Sequence, residues 1–250
     1  MSEFLSAGAL LGLTEMLPAI IAVIGCGGKT TFIERLAHEW RHKKVLVTPT
    51  TKMFPMKGED IVLRTRAEEC LSHSAAKGIQ CFGVLNETTG KLEALGQDLL
   101  ETIVPHYDLV LLEADGSNGL PCKGWRSDEP VVPPFCTHTV GIVTTNALGR
   151  PADSDTVLRL PEFFKLTGLS QGETINEQAL TDMVCAENGM FRTGTGRQIL
   201  FVNQAESQAA AGTAQRWLDG IQKAYPGRFD CLAYGSAREN RWTPCIQGAE

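Results

Sequence analysis

An apolar run that leads into a glycine-rich turn and then into a helical pattern constrains this chain most. Residues 19–24 read Ala-Ile-Ile-Ala-Val-Ile, and a run that is apolar on both alternating faces is typical of a parallel strand buried between two layers of helices. Residues 25–28 read Gly-Cys-Gly-Gly, and residues 29–42 carry apolar side chains at helical spacing. The order strand, glycine turn, helix predicts a phosphate-binding loop at the end of a core strand.

Residues 25–31, which read G-C-G-G-K-T-T, contain each part that a bound phosphate chain needs. Glycines let backbone N–H groups approach closely, the helix start is positive, Lys29 supplies a point charge, and the Thr30 hydroxyl suits Mg²⁺. The eight-residue pattern G-x-x-x-x-G-K-[ST] would need glycine at position 23, where this chain has Val23. The loop is therefore a shortened form, similar to that of the Mur-type amide ligases. The predicted nucleotide contacts are Gly25, Gly27, Gly28, Lys29, Thr30 and Thr31; the alternative is a plain turn with a surface lysine.

A second motif lies where the apolar run 107–115 ends in two carboxylates, Glu113 and Asp115. In phosphate-loop proteins a carboxylate on a neighbouring strand holds Mg²⁺ directly or through water. We therefore predict a metal site formed by Thr30, Glu113 and Asp115, although either acid could instead orient a nucleophile or be a solvated strand-end group. The predicted catalytic residues are Lys29, Asp115 and Lys123.

The segment 116–137, rich in glycine and proline, is too long for a simple connection. It carries Lys123, Arg126, Asp128 and Glu129. We expect these residues to bind a small anionic substrate and close over the site as a lid. The alternative is that they are solvated loop charges.

The remaining pattern alternates strands with helices. Further strands are predicted near 45–47, 138–145, 199–202 and 229–234, and helices near 65–78, 91–104, 161–190 and 205–224. This alternation predicts an α/β fold, a P-loop NTPase-like, doubly wound, mostly parallel sheet flanked by helices. We expect one nucleotide-binding domain over 1–250, with a helical insertion near 161–195.

Residues 199–206, Ile-Leu-Phe-Val-Asn-Gln-Ala-Glu, lie where GTPases carry their N-K-x-D base-recognition motif. The chain departs from that motif twice, with Gln for Lys and Glu for Asp. We predict that Asn203 and Glu206 contact the base, the alternative being an ordinary strand-to-helix junction with Asn as a cap. The nucleotide is expected to be an NTP bound with Mg²⁺, with ATP favoured over GTP.

Composition narrows the class of protein. The formal charge is −6, and the densest basic cluster is only Arg41, Lys43 and Lys44, so nucleic-acid binding is not expected. The longest apolar run is far shorter than the roughly 20 residues of a membrane span. Eight cysteines without a C-x-x-C pair predict a reducing, cytoplasmic setting. Cys26 lies in the loop, where the helix dipole would lower its pKa and make it reactive, unless it is only a small filler.

Several blocks together resemble one family. They are G-C-G-G-K-T-T at 25–31, T-P-T-T-K-M at 48–53, L-L-E-A-D-G-S-N-G-L-P at 111–121, D-E-P-V-V-P at 128–133, T-N-A-L-G-R-P at 145–151 and N-Q-A-E at 203–206. The combination is similar to the YqeC family of selenium-dependent molybdenum hydroxylase accessory proteins, over most of residues 18–206. The resemblance implies a cytosolic phosphate-loop nucleotide binder that works with the maturation proteins of such a hydroxylase or of its cofactor.

The residues leave two functions open. In the first, the chain is an NTP-dependent enzyme of the NTPase, kinase or Mur-like ligase type, whose Mg²⁺-dependent phosphoryl chemistry acts on a small anionic substrate. In the second, it is a non-catalytic chaperone that binds a molybdopterin-type nucleotide through the same loop.

Overall fold

The computed structural model describes residues 6–13, 15–72 and 75–247. Its strands are β1 (Ala19–Gly25), β2 (Lys44–Pro49), β3 (Lys52–Met53), β4 (Ile61–Arg64), β5 (Gly78–Phe82), β6 (Val84–Asn86), β7 (Lys91–Glu93), β8 (Leu109–Glu113), β9 (Cys122–Lys123), β10 (His138–Thr144), β11 (Val157–Leu158), β12 (Arg197–Asn203), β13 (Cys231–Ser236) and β14 (Arg241–Gln247). Its α-helices are α1 (Ala7–Leu11), α2 (Lys29–Glu39), α3 (Ala67–Ser72), α4 (Gln97–Ile103), α5 (Leu160–Thr167), α6 (Glu177–Cys185) and α7 (Gln208–Ala224).

Nine strands form one sheet in the order β4-β5-β2-β8-β1-β10-β12-β13-β14. Every neighbouring pair is parallel except β13 and β14 at the edge. This mostly parallel sheet confirms the predicted fold class, and it is compatible with a P-loop-like doubly wound fold. The central strand β1 lies between β8 and β10, so the glycine loop and the acidic strand end share one edge of the sheet, where such folds bind ligands.

The sheet separates two hydrophobic cores, and β1 contributes to both. Ile21 and Val23 face the core that α1 and α2 cover. Ala22 and Ile24 face the other core, which α4, α6 and α7 cover. Because side chains alternate along a strand, an uninterrupted apolar run serves a sheet that is covered on both faces.

The structure confirms most of the predicted strands within a few residues. They are the strands at 19–24, 45–47, 138–145, 199–202 and 229–234 and the one that leads into Glu113 and Asp115. The helix predicted over 91–104 is wrong in its first half, because residues 91–93 form β7, which pairs with β3 and β6. The helix predicted over 65–78 ends at Ser72 in the described structure, residues 73 and 74 lie outside the described residues, and Gly78 begins β5.

The stretch 161–190 contains two helices, α5 and α6, joined by a polar connection. Phe163, Leu180 and Met183 are fully buried and pack into the core on the α7 side of the sheet. Within the described ranges, each helix is too short or too polar to cross a lipid bilayer.

Candidate functional site

The glycine loop joins the end of β1 to the start of α2 in a conformation that favours glycine. Gly25 and Gly28 have φ angles of 97° and 112°, in the region that L side chains rarely adopt. A Cβ on Gly28 would lie 2.6 Å from Nδ2 of Asn203. The loop backbone therefore approaches β12 more closely than a residue with a side chain would allow.

Lys29 reaches back over this loop and is buried, unlike the surface lysine of the alternative interpretation. Its Nζ donates to the Gly25 carbonyl at 2.6 Å and lies 3.3 Å from Oδ1 of Asp115. Burial alone would lower the pKa of Lys29, but the charges of Asp115 and Glu113 outweigh it and raise that pKa above its ordinary value. The ammonium therefore stays charged inside the loop, where an oxygen of a phosphate could replace the carbonyl.

Asp115 anchors the loop. Its two carboxylate oxygens accept from the Gly25 N–H at 3.0 and 3.1 Å, and one also accepts from Trp125 Nε1 at 2.8 Å. Lys123 Nζ lies 3.2 Å from the same carboxylate, and Asp115 is fully buried. The lone pairs of Asp115 are therefore directed at the loop and at two lysines, and this geometry does not offer its carboxylate as a ligand for a metal ion.

Glu113 and Thr30 form the oxygen pair of the site. The Thr30 hydroxyl donates to Oε2 of Glu113 at 3.2 Å. Two adjacent ligands of an octahedral Mg²⁺ at about 2.1 Å would lie about 3 Å apart, so the pair fits this ion. Burial raises the pKa of Glu113 above its usual range, although the charge of Lys29 and the hydrogen bond from Thr30 act against the rise. Among the described residues, no three His, Cys, Asp or Glu side chains are grouped to hold a metal.

The segment 116–137 packs against the rest of the domain through several hydrogen bonds, which favours a scaffold over a lid. Its strand β9 pairs with β11, and the N–H of Val131 donates to the Ala114 carbonyl at 3.0 Å. Lys123 is fully buried and also donates to the Gly116 carbonyl at 2.7 Å and to Glu129 at 2.9 Å. Since its ammonium is fully engaged by these partners, the geometry gives Lys123 a positioning role on Asp115 rather than a contact with substrate.

Arg159 completes this charged cluster, and it was not among the predicted site residues. It has a left-handed φ of 62° just before α5, and its guanidinium holds Glu129 by two hydrogen bonds. Burial alone would raise the pKa of Glu129, but the hydrogen bonds from Arg159 and Lys123 lower it. The chain of contacts from Lys29 through Asp115, Lys123 and Glu129 to Arg159 links the loop to the helices of 160–185. An arginine two residues before Pro161 gives no local signal of this pairing.

Asn203 and Glu206 lie on the other side of the loop. Nδ2 of Asn203 donates to the Gly27 carbonyl at 2.7 Å, and its Oδ1 accepts from the Ala237 N–H at 2.9 Å. Glu206 accepts from the Ser236 hydroxyl at 2.7 Å. The sequence did not predict Ser236 and Ala237 as site residues, although a small polar residue such as Ser236 at the end of a core strand is the kind of signal that marks a ligand site.

A pocket of about 330 Å³ opens beside the loop at this point. Its walls come from the start of α2, from the ends of β10 and β12 and from the turn after β13. The lining residues are Gly28, Thr31, Asn146, Asn203, Gln204, Glu206 and Arg238.

Cys26 is not the reactive thiol that the helix dipole suggested. It is fully buried, and burial raises its pKa to about 12, although Lys29 acts in the opposite direction. The thiol therefore stays protonated near neutral pH and fills space at its position.

Fold and site together define a doubly wound α/β protein with a glycine loop, a buried lysine and an acidic strand end at the carboxyl edge of its sheet. The model of the family described as YqeC protein matches residues 21–161, and the chain belongs to this family. An Escherichia coli (strain K12) protein described as "Uncharacterized protein YqeC" is 29% identical over 195 residues, which are 75% of this chain and 76% of that protein.

Proposed function

We propose that this chain binds a nucleoside triphosphate with Mg²⁺ and uses it for phosphoryl chemistry in the maturation of a selenium-dependent molybdenum hydroxylase or its cofactor. The observation that carries the nucleotide proposal is the buried Lys29 ammonium, held across the loop by Gly25 and Asp115 at the start of α2. The link to the hydroxylase rests on the family resemblance, and the proposed cytoplasmic location rests on that resemblance and on the cysteine pattern.

The phosphates would bind at the loop for three physical reasons. The first N–H groups of α2 point out of the helix without partners inside it, and the helix start carries a partial positive charge. Lys29 adds a full charge in a setting from which water is excluded. Asp115 holds the loop in shape by accepting from the N–H of Gly25. The site is therefore organised for an anion before the anion arrives.

The metal would be held by Thr30 and Glu113 together with phosphate oxygens. Mg²⁺ commonly takes only one or two protein ligands and completes its shell with phosphates and water. When bound there, the ion neutralises charge that develops on the phosphate oxygens. Glu113 must lose its proton to serve, so its raised pKa makes metal binding depend on pH.

The test is a turnover assay of the purified protein with ATP and with GTP, in Mg²⁺ or in EDTA. We expect Mg²⁺-dependent release of phosphate or transfer to an added small anion. Thr30→Val and Glu113→Gln should lower kcat by about 10²- to 10³-fold, since each removes one electrostatic contact to the transition state. Retention of a pterin dinucleotide without turnover of any triphosphate would favour the chaperone function instead.

A further inference from the structure

The pocket beside the loop extends the proposed nucleotide site, and this inference rests on that proposal. At about 330 Å³ it lies at the lower end of the range of about 300 to 1,000 Å³ for small-molecule sites. Gly28 and Thr31 belong both to the loop and to the pocket wall. A nucleotide whose phosphates occupy the loop can therefore place its base in this pocket.

Asn203 holds two segments of the pocket wall together rather than recognising the base. Its amide nitrogen donates to Gly27 and its amide oxygen accepts from Ala237, so both ends of the side chain are engaged. The carbonyl on one side and the N–H on the other fix which end is nitrogen. Arg35 of α2 donates to the carbonyl oxygens of Ala237 and Arg238 at 3.1 and 2.7 Å. The turn after β13 is thus held against the loop from two directions.

Glu206 is the carboxylate among the residues that line this pocket. The Ser236 oxygen accepts from the Glu239 N–H at 3.2 Å, so its own proton is free to point at Glu206, to which it donates at 2.7 Å. An ionised carboxylate accepts hydrogen bonds only, and each oxygen has two lone pairs. One bond from Ser236 therefore orients Glu206 and leaves acceptor capacity on both oxygens for a ligand.

The backbone at this corner is held in an uncommon conformation. Gln204 has a φ of 64°, which is uncommon for a residue other than glycine. Its side chain accepts from Nδ2 of Asn146 at 2.9 Å, so two lining residues are tied together across the pocket. Local strain of this kind persists where the surrounding structure enforces it, often at ligand sites.

We infer that this pocket selects guanine over adenine, so that the nucleotide is GTP. Guanine presents two adjacent donors, N1–H and the N2 amino group, which match the two acceptor oxygens of Glu206. Adenine presents a single amino group beside the N1 lone pair, and that lone pair faces a carboxylate unfavourably. A site that pairs with donors rejects a ligand that lacks them more strongly than an apolar pocket rejects a change of shape. This inference departs from the preference for ATP that the sequence suggested.

The experiment measures equilibrium binding of GTP, ATP and xanthosine triphosphate in Mg²⁺. Wild-type protein should bind GTP about 10- to 100-fold more tightly than ATP, the range expected for hydrogen bonds to a charged group. Glu206→Gln should lose GTP affinity by a similar factor and gain affinity for the xanthine nucleotide, because the amide donates to the oxygen that xanthine carries at position 2. Glu187→Gln, on an exposed residue outside the site, is the matched control and should leave all three affinities unchanged.

The gain of xanthine binding separates recognition from damage to the fold, since an unfolded variant gains no ligand. Equal binding of GTP and ATP by the wild-type protein would overturn the guanine inference and leave the proposed function standing. Binding of neither triphosphate would overturn both. A Glu206→Gln variant that kept the wild-type preference for GTP would also overturn the inference.

Discussion

Replacing Asp115 with Asn should destabilise the protein strongly, although the two side chains have nearly the same shape. Asp115 is fully buried and holds Lys29 and Lys123 at 3.3 and 3.2 Å. Removing its charge leaves the buried ammonium of Lys29 beside a neutral amide, while Lys123 keeps Glu129 as its ion-pair partner. Breaking a buried ion pair in this way costs about 3 to 5 kcal/mol, and we expect the lower figure because both lysines keep carbonyl partners, Gly25 and Gly116.

A loss of about 3 kcal/mol would be a large share of the roughly 5 to 15 kcal/mol that keeps a domain folded. It corresponds to a fall in Tm of about 6 to 12 °C for a chain of this size. Urea unfolding should show a lower midpoint with an unchanged slope. Adding Lys29→Met to Asp115→Asn should recover part of the loss, because Asp115 is the ion-pair partner of Lys29 and the double variant removes the charge that has lost it. Asp219→Asn, on the exposed face of α7, is the control and should change the free energy of unfolding by less than about 0.5 kcal/mol. A loss below about 1 kcal/mol for Asp115→Asn would refute the account of this cluster.

Three further predictions concern the site. Because the pKa of Glu113 is raised, its contribution to the stability of the metal-free protein should be present at low pH and fall as the pH rises through that pKa. The affinity for Mg²⁺ should rise over the same pH range. Glu113→Gln should flatten the pH dependence of stability in unfolding titrations and that of Mg²⁺ affinity in calorimetric titrations. Gly28→Ala should lower stability by about 1 to 3 kcal/mol and weaken nucleotide binding, because φ is 112° and the new Cβ would lie too close to the Asn203 side chain. Gly220→Ala in α7 is the control and should be neutral or stabilising, because a Cβ there has nothing within 4 Å. In the nucleotide-free protein, hydrogen exchange measured by mass spectrometry or NMR should be slow at the amides of Cys122, Gly124 and Val131. These amides donate to the carbonyls of Thr156, Leu158 and Ala114, respectively. Rapid exchange there would support the lid interpretation.

Sequence reasoning succeeded where the physical cause is local. The run at 19–24 is buried on both faces, and this is visible as an uninterrupted apolar stretch. The glycine loop is visible because the turn and the helix start require particular residues at fixed spacing. The acidic end of β8 follows an apolar run directly, so Glu113 and Asp115 could be placed at the correct edge of the sheet.

It failed where the cause is a contact between distant segments. Residues 91–93 form a strand because β3 and β6 pair with them. The helical spacing of the apolar residues in this stretch does not reveal that pairing. β5 was missed because Gln80 interrupts a short apolar run; the Tyr107 hydroxyl donates to its side chain in the buried interior. Lys123 looked like a loop charge, yet Asp115 and Glu129 hold it inside the protein. Asp115 anchors the loop and Glu113 pairs with Thr30. This difference likewise depends on which hydrogen-bond donors reach each carboxylate.

The most direct test of the central claim is calorimetric titration of the wild-type protein and of Lys29→Met with GTP and with ATP in Mg²⁺. Methionine keeps much of the buried stem of the lysine and removes only its ammonium, and an unfolding curve of each variant confirms that it is folded. We expect saturable binding to the wild-type protein, an affinity about 100-fold lower for Lys29→Met, and no change for Lys223→Met at the exposed end of α7. Equal affinity of the wild-type protein and a folded Lys29→Met variant would contradict it.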